Sequence, residues 1–272
     1  MKIFSGNSNK SLAKDICNYL EIDLGHLEIQ RFSDGELSVA FKENIRNEDV
    51  FIVQSTNPPS DNILELLLIL DAAKRASAKS VIAVIPYFGY GRQDRKDRPR
   101  VPISARMLLD VMSSVGVNRI VSMDLHSSQI QGFANVPFDH LYSRIALLSK
   151  LKNLNLDESS GVVLAPDVGS AKMSQAYAKT LGVSFALIDK RRPKANEAVV
   201  ANLVGDLKNK HVLIIDDMID TAGTIFNAAV VAKEKGALSV TVAATHAVLS
   251  GDAVKKLSSD NIDKVFLSDT VH

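Results

Sequence analysis

The sequence predicts an α/β fold with mainly parallel sheets, arranged as two tandem halves. Three observations predict it. Short apolar runs recur at intervals suited to βαβ units. Helical patterns of apolar residues lie between those runs. And part of the first half returns in the second: Lys74, Ala78, Ser80 and Val81 recur as Lys233, Ala237, Ser239 and Val240 at one fixed offset.

The elements follow in chain order. Met1–Gly6 reads as a short strand and turn, without the charged-then-apolar pattern of a secretion signal. Further strands are expected at Val50–Val53, Val81–Ile85, Ile120–Met123, Val162–Ala165, Phe185–Ile188, Val212–Ile215, Val240–Ala244 and Val265–Leu267. Helices are expected over Asn62–Ala76, Ile103–Val115, Ala171–Leu181 and Ile225–Lys235. The boundary between the halves falls near Leu147–Ser160, giving domains 1–147 and 148–272. The second half stops soon after Val265–Asp269, so a missing C-terminal segment is expected.

Composition narrows the function. The chain has 272 residues, 46% hydrophobic and 23% charged, with a net charge of +1. That balance gives no electrostatic case for nucleic acid or a membrane surface. The apolar run Ile63–Leu70 contains Glu65 and is too short to span a bilayer. Cys17 is the only cysteine, which excludes an intrachain disulfide and fits a reducing, cytoplasmic compartment. No Walker A motif and no G-x-G-x-x-G after a strand is present.

The chemistry concentrates in five places. In Val212–Thr224 an apolar strand ends in the pair Asp216–Asp217, and Asp220, Thr221, Ala222, Gly223 and Thr224 lead into a helix. Ligands bind at such junctions of open α/β sheets. Free N–H groups at the helix start suit a phosphate, and the carboxylates suit sugar hydroxyls or hydrated Mg²⁺. A phosphorylated sugar is the implied ligand. The counterpart of this segment in the first half, Val50–Ser55, ends in Gln54–Ser55 and lacks the acids. Arg31–Glu36 sets an aromatic, Phe32, among polar loop residues; taken alone, Phe32 reads better as core. The segment from Pro86 to Pro102 is dense in arginine, whose guanidinium forks suit polyphosphate oxygens, against the plainer reading of a solvated loop. Asp124–Leu125–His126 and Pro166–Asp167–Val168–Gly169 each follow a buried strand, and a His and an Asp from such ends can hold a divalent cation, although a lone His is more often structural. Asp189–Asn196 carries Lys190, Arg191 and Arg192, which can stabilise negative charge in a transition state or serve only as a solubility patch.

Together these segments resemble the ribose-phosphate pyrophosphokinase family, from Lys2–Gly6 through to Asp269–Thr270. Its carriers are Arg31–Glu36, Val84–Tyr90, Arg92–Arg95, Asp124–His126, Gln129–Phe133, Asp189–Pro193 and Asp216–Thr224. The resemblance implies two phosphoribosyltransferase-like domains and transfer of the diphosphoryl group of ATP to the 1-hydroxyl of ribose 5-phosphate. It implies Phe32 stacked on adenine, with Asp34, Gly35 and Glu36 near the base and Arg92, Gln93 and Asp94 lining the nucleotide site. His126 and Asp167 would place Mg²⁺. Asp216 and Asp217 would hold the ribose hydroxyls, with Asp220–Thr224 on the 5-phosphate. Lys190 and Arg192 would stabilise the transferring group, Arg192 also touching ribose 5-phosphate. A homo-oligomer, commonly a hexamer, and regulation by phosphate or ADP are further implications. After Asp167 the run Ser170–Met173 replaces the glycine-rich continuation often seen in the family. Two other readings compete: a non-catalytic regulatory homologue, expected to have lost site residues, and a phosphoribosyltransferase, expected to lack Phe32 and Arg92–Arg95.

Overall fold

A computed structural model of the chain describes residues 1–191 and 200–272. The chain forms two compact units. One comprises Met1–Tyr142 with Asp269–His272, the other Ser143–Ser268. The division thus falls after Tyr142 instead of Leu147, and the last four residues pack with the first unit.

In the first unit the elements run β1 (Lys2–Ser5), α1 (Lys10–Leu20), β2 (Leu27–Arg31), β3 (Leu37–Phe41), β4 (Asp49–Val53), α2 (Asp61–Arg75), β5 (Ser80–Ile85), α3 (Ser104–Val115), β6 (Arg119–Met123) and β7 (Phe138–Leu141). The parallel sheet has the order β1-β4-β5-β6-β7, and β2 and β3 make a separate antiparallel hairpin. That hairpin was not foreseen. Its inward residues Leu27, Ile29, Val39 and Phe41 pack on the main core. Phe4 and Ile52 from the sheet, with Leu66 and Leu70 of α2 and Leu109 of α3, belong to that core. Cys17 of α1 packs with Ile3 and Val53 in a separate small cluster, so the sheet is covered on two sides.

The second unit runs α4 (Arg144–Leu151), β8 (Gly161–Ala165), α5 (Ala171–Leu181), β9 (Ser184–Arg191), β10 (Val200–Val204), β11 (His211–Ile219), α6 (Gly223–Glu234), β12 (Ser239–Ala247), α7 (Ala253–Leu257) and β13 (Lys264–Leu267). Its sheet order is β10-β9-β8-β11-β12-β13, parallel except for β10. Both faces of β11 are buried, which is why it reads as an unbroken apolar run. Val212 and Ile214 face the α6 side, while Leu213 and Ile215 face the α5 side with Tyr177.

The repeated residues occupy equivalent positions in the two units. Val50 of β4 pairs with Val81 of β5, and Val212 of β11 pairs with Val240 of β12. Both intervening helices end in the same way. The amide of Ala78 donates to Ala73 O, and that of Ala237 to Ala232 O. Ser77 and Gly236 take the left-handed conformation there, with φ of 61° and 84°. Ser80 Oγ bonds Asp49 at 2.6 Å, and Ser239 Oγ bonds His211 at 2.7 Å.

Each sheet reverses its strand order once. From β8 the chain steps to β9 on one side and later to β11 on the other. In the first unit Leu24 bridges β1 on one side and β4 flanks it on the other. The crevices at these reversals, at the carboxyl ends of the strands, are where α/β sheets take ligands.

Candidate active site

In the second unit the crevice between β8 and β11 collects acids. Asp167 follows β8, and Asp216 and Asp217 lie in β11, which runs on to Ile219 instead of stopping at Ile215. Asp216 pairs with Ala244 and Met218 with His246, so the sheet ladder fixes the acids in register. Burial pushes the Asp216 carboxyl up to about 8, and the neighbouring charges of Asp217 and Asp167 add to the rise. Asp167 is fixed by Ser170, whose amide donates to Oδ1 at 3.0 Å. Asp167, Asp216 and Asp217 thus crowd one end of the sheet, and grouped carboxylates of this kind suit a hydrated cation or sugar hydroxyls.

Asp220–Thr224 carries the chain from β11 into α6. The first amides of any α-helix have no intrahelical acceptor. Thr221 and Thr224 are exposed beside them. Ala222 sits at φ 56°, in the left-handed region, although it is not glycine and is only 4% exposed. Such a residue is held by its surroundings. Here the Lys256 ammonium donates to Thr221 O at 2.8 Å, and the Ser250 amide to Asp220 O at 2.9 Å. A Cβ placed on Gly223 would meet nothing nearer than Thr221 Oγ1 at 3.8 Å. The protein's own packing does not require glycine at this position. A glycine there leaves the backbone open to close approach.

One further candidate residue of this unit is in β9. Lys190 lies near its end, paired in register with Ala201 of β10. Arg192 lies outside the described residues.

In the first unit Phe32 stands at the tip of the β2–β3 hairpin, 58% exposed. Its reading as core is therefore wrong: the hairpin turns there and carries the ring away from the sheet. The Phe32 amide donates to Glu36 O and the Gly35 amide to Phe32 O, both at 2.9 Å. Asp34 Oδ1 accepts from the Glu36 amide at 3.0 Å, and Gly35 takes φ 95°. Asp34 thus shapes the turn that presents the ring. Arg31 braces it by pairing with Asp61 of α2.

The arginine-dense segment divides in two. Pro86–Gly89 is buried, and Gly89 lies so close to Thr56 that a Cβ would fall 2.0 Å from its carbonyl oxygen. Arg92, Gln93, Arg95, Arg98 and Arg100 are exposed, and Asp94 is half-buried. The reading as a solvated loop fails for the first part alone. Gln93 is anchored at the start of α3, where Ser104 Oγ donates to its Oε1 at 2.5 Å. His126 is exposed just beyond β6, before a 3₁₀ turn over Ser128–Phe133. Among the described residues no three His, Cys, Asp or Glu side chains form a closed metal cage. Mg²⁺ does not need one, since it keeps waters and binds through one or two protein oxygens plus substrate phosphates.

A family model described as the N-terminal domain of ribose phosphate pyrophosphokinase matches residues 1–116. A second, the phosphoribosyl synthetase-associated domain, matches residues 191–272. The chain is 51% identical to the ribose-phosphate pyrophosphokinase of Chlorobaculum tepidum, over 100% of this chain and 84% of the relative. It belongs to the ribose-phosphate pyrophosphokinase family. Another family member, from Campylobacter jejuni, is 46% identical over 99% of this chain and 87% of its own length. The crystal structure of phosphoribosylpyrophosphate synthetase from Mycobacterium smegmatis superposes with a TM-score of 0.92 at 37% identity, over 99% of this chain and 89% of that one. Membership accounts for the α/β architecture with mainly parallel sheets. Among the described residues no helix is long and apolar enough to cross a membrane.

Two residues that brace the candidate site were given no role there by the sequence reading. Ser170 fixes Asp167, and Lys256 fixes Thr221. Ser170 follows Asp167 closely enough for an Asx-type turn to be foreseen. Lys256 lies in a separate element, α7, and only tertiary structure brings it to the loop.

Proposed function

We infer that the chain is a ribose-phosphate diphosphokinase. The 1-hydroxyl oxygen of ribose 5-phosphate attacks the β-phosphorus of ATP, and the bond to the α-phosphate oxygen breaks. AMP leaves, 5-phospho-α-D-ribose 1-diphosphate forms, and the hydroxyl proton is released. One observation carries this reading: at the strand-order reversal of the second unit, crowded carboxylates stand directly before a helix N-terminus with a glycine open to a ligand.

Each side chain has a part in that scheme. Asp216 and Asp217 accept from the ribose hydroxyls, which orients the 1-hydroxyl. Asp220–Thr224 binds the 5-phosphate through amides and threonine hydroxyls. Phe32 stacks on adenine, with Asp34, Gly35 and Glu36 along the base and Arg92, Gln93 and Asp94 along the nucleotide. Lys190 and Arg192 offset the charge that develops on the transferring group. His126 and Asp167 are the residues offered to Mg²⁺, which when bound neutralises polyphosphate charge. Positioning and charge stabilisation are most of what phosphoryl-type transfer asks.

The reading extends to a cytoplasmic homo-oligomer with phosphate or ADP as effectors. Cys17 is free and buried, which suits a reducing compartment. In the second unit Ile145 is 83% exposed, apolar surface that self-association would cover. A regulatory homologue is not favoured, because Asp216, Asp217 and the Asp220–Thr224 turn are all present.

The decisive experiment follows ATP, Mg²⁺ and ribose 5-phosphate by ³¹P NMR. AMP and the sugar diphosphate should appear together. Lys190→Ala and Arg192→Ala should each slow the reaction about 10²-fold or more. Normal turnover in both variants would remove their assigned role, and ADP as product would exclude attack at the β-phosphorus.

A further inference from the structure

We propose that His140 is a positioning residue for the diphosphoryl transfer: its ring accepts the Leu125 amide and so fixes the turn that presents His126. The proposal rests on the functional reading above, in which His126 serves the nucleotide and its metal.

β6 and β7 pair in parallel, with Ser122 opposite His140 and Met123 opposite Leu141. The ladder continues one step past β6, where the Asp124 amide donates to Leu141 O at 2.9 Å. Asp124 itself takes φ 36°, in the left-handed region. That step turns the chain out of the strand direction. The next donor, the Leu125 N–H, bonds a side chain instead: it donates to His140 Nε2 at 3.0 Å. The Leu125 side chain is 8% exposed and belongs to the main core. Two bonds from β7 therefore tie down Asp124 and Leu125, and His126 emerges at the surface immediately after them.

Donor and acceptor accounting fixes the state of the ring. Because Leu125 can only donate through its amide, Nε2 must be the bare nitrogen, and the neutral ring carries its proton on Nδ1. That Nδ1 is enclosed and has no hydrogen-bond partner. A buried polar group left unpartnered is uncommon, and it persists where something else on the same side chain requires it. The Leu125 bond is that requirement. Burial holds the His140 ring below the usual histidine range, against the opposing pull of the Asp124 charge, which keeps it neutral and able to accept. Tyr142 packs on the ring at 4.4 Å between centroids and limits its rotation. The arrangement is that of a side chain that orients a ligating residue from behind.

Two variants separate this role from simple packing. His140→Phe keeps a ring and loses the acceptor, whereas His140→Gln keeps an acceptor near the place of Nε2. Hydrogen-exchange mass spectrometry on peptides covering Leu125 should show exchange at least about tenfold faster in His140→Phe. Its kcat should fall about tenfold or more, with KM for ribose 5-phosphate unchanged. His140→Gln should restore both readouts to within about threefold of wild type. Unchanged exchange at Leu125 in His140→Phe, or a Gln variant as impaired as the Phe variant, overturns the proposal. Should the Phe variant fail to fold, ¹⁵N spectra of histidine-labelled wild type decide, with the His140 signal identified by its loss in His140→Gln. A ring protonated on Nδ1 supports the proposal and one protonated on Nε2 overturns it. A wild-type protein that makes no sugar diphosphate defeats the functional reading instead, while exchange and tautomer still report whether His140 holds the turn.

Discussion

Asp216 is buried beside two other carboxylates and held toward its protonated form. An unfolded aspartate loses its proton near 3.8, whereas folded Asp216 keeps it to about 8. Between those values the folded state binds more protons, so stability falls as pH rises through the window. Asp216→Asn removes that dependence. In EDTA and without ligand, the variant should melt higher than wild type at pH 8 and converge with it near pH 4. The gain is on the order of a few kcal/mol. Ribose 5-phosphate binding should be lost in the same variant. A variant less stable than wild type at pH 8 would show that Asp216 is not penalised by its surroundings. Acids at the end of an apolar run are legible in a sequence because the run itself marks the strand. His140 and Glu65 were not legible as polar anchors, since their partners lie in other elements that only the folded sheet brings near.

At the scale of elements, the strand–turn–helix from β11 to α6 concentrates both strain and exposure. Ala222 at φ 56° leaves no tolerance for branching at Cβ. Ala222→Val should lower the melting temperature and raise KM for ribose 5-phosphate by at least about tenfold, measured by calorimetry and steady-state kinetics. An unchanged KM would mean that this backbone does not hold the phosphate. The turn before β8 gives a contrasting case. Asp157 caps it through Ser159 and Ser160, and those bonds pull its carboxyl down to about 2. Its contribution is complete above the ordinary value of 3.8 and is lost as pH falls through about 2. Asp157→Ala should therefore melt below wild type at pH 7, with the gap closing as pH approaches 2. A gap independent of pH would assign the effect to something other than ionised Asp157. Long buried strands and amphipathic helices were foreseen because burial writes itself as apolar periodicity. The helix expected over Ala171–Leu181 has those bounds in the structure. The β2–β3 hairpin was passed over because its Phe32–Glu36 turn reads as polar loop, which masks the alternation on either side of it. Short α4 and α7 give too few turns for a period to show.

Over the whole chain, the two units share a register and differ in what fills the crevice at their strand reversal. In the second unit acids and a helix start line it. In the first, the protein fills it with its own side chains. Gln54 and Glu65 lie so near Gly6 that a Cβ there would come within 2.2 Å and 2.8 Å of their oxygens. Glu65, 4% exposed, accepts from the Asn7 amide at 2.6 Å, from Asn7 Nδ2 at 2.7 Å and from Gln54 Nε2 at 2.8 Å. Gln54 Oε1 in turn takes the Ser8 amide and hydroxyl at 3.0 Å and 2.7 Å. Asn9 and Ser55 then hold the carbonyls of Asp269 and Thr270, each at 2.6 Å. The turn after β1 thus spends its donors on the protein and offers few to a phosphate. Two consequences follow from one cause. Calorimetric titration should find a single ribose 5-phosphate per chain, and Asp216→Asn should abolish that binding entirely. Glu65→Ala removes the acceptor of three hydrogen bonds in the first unit and should cost about 3 kcal/mol, a fall in melting temperature of roughly 5–10 °C. If Glu65→Ala were neutral, the network would not be what closes this crevice. Residual binding of ribose 5-phosphate by Asp216→Asn, lost on adding a Gln54 substitution, would show that the first crevice takes the sugar after all.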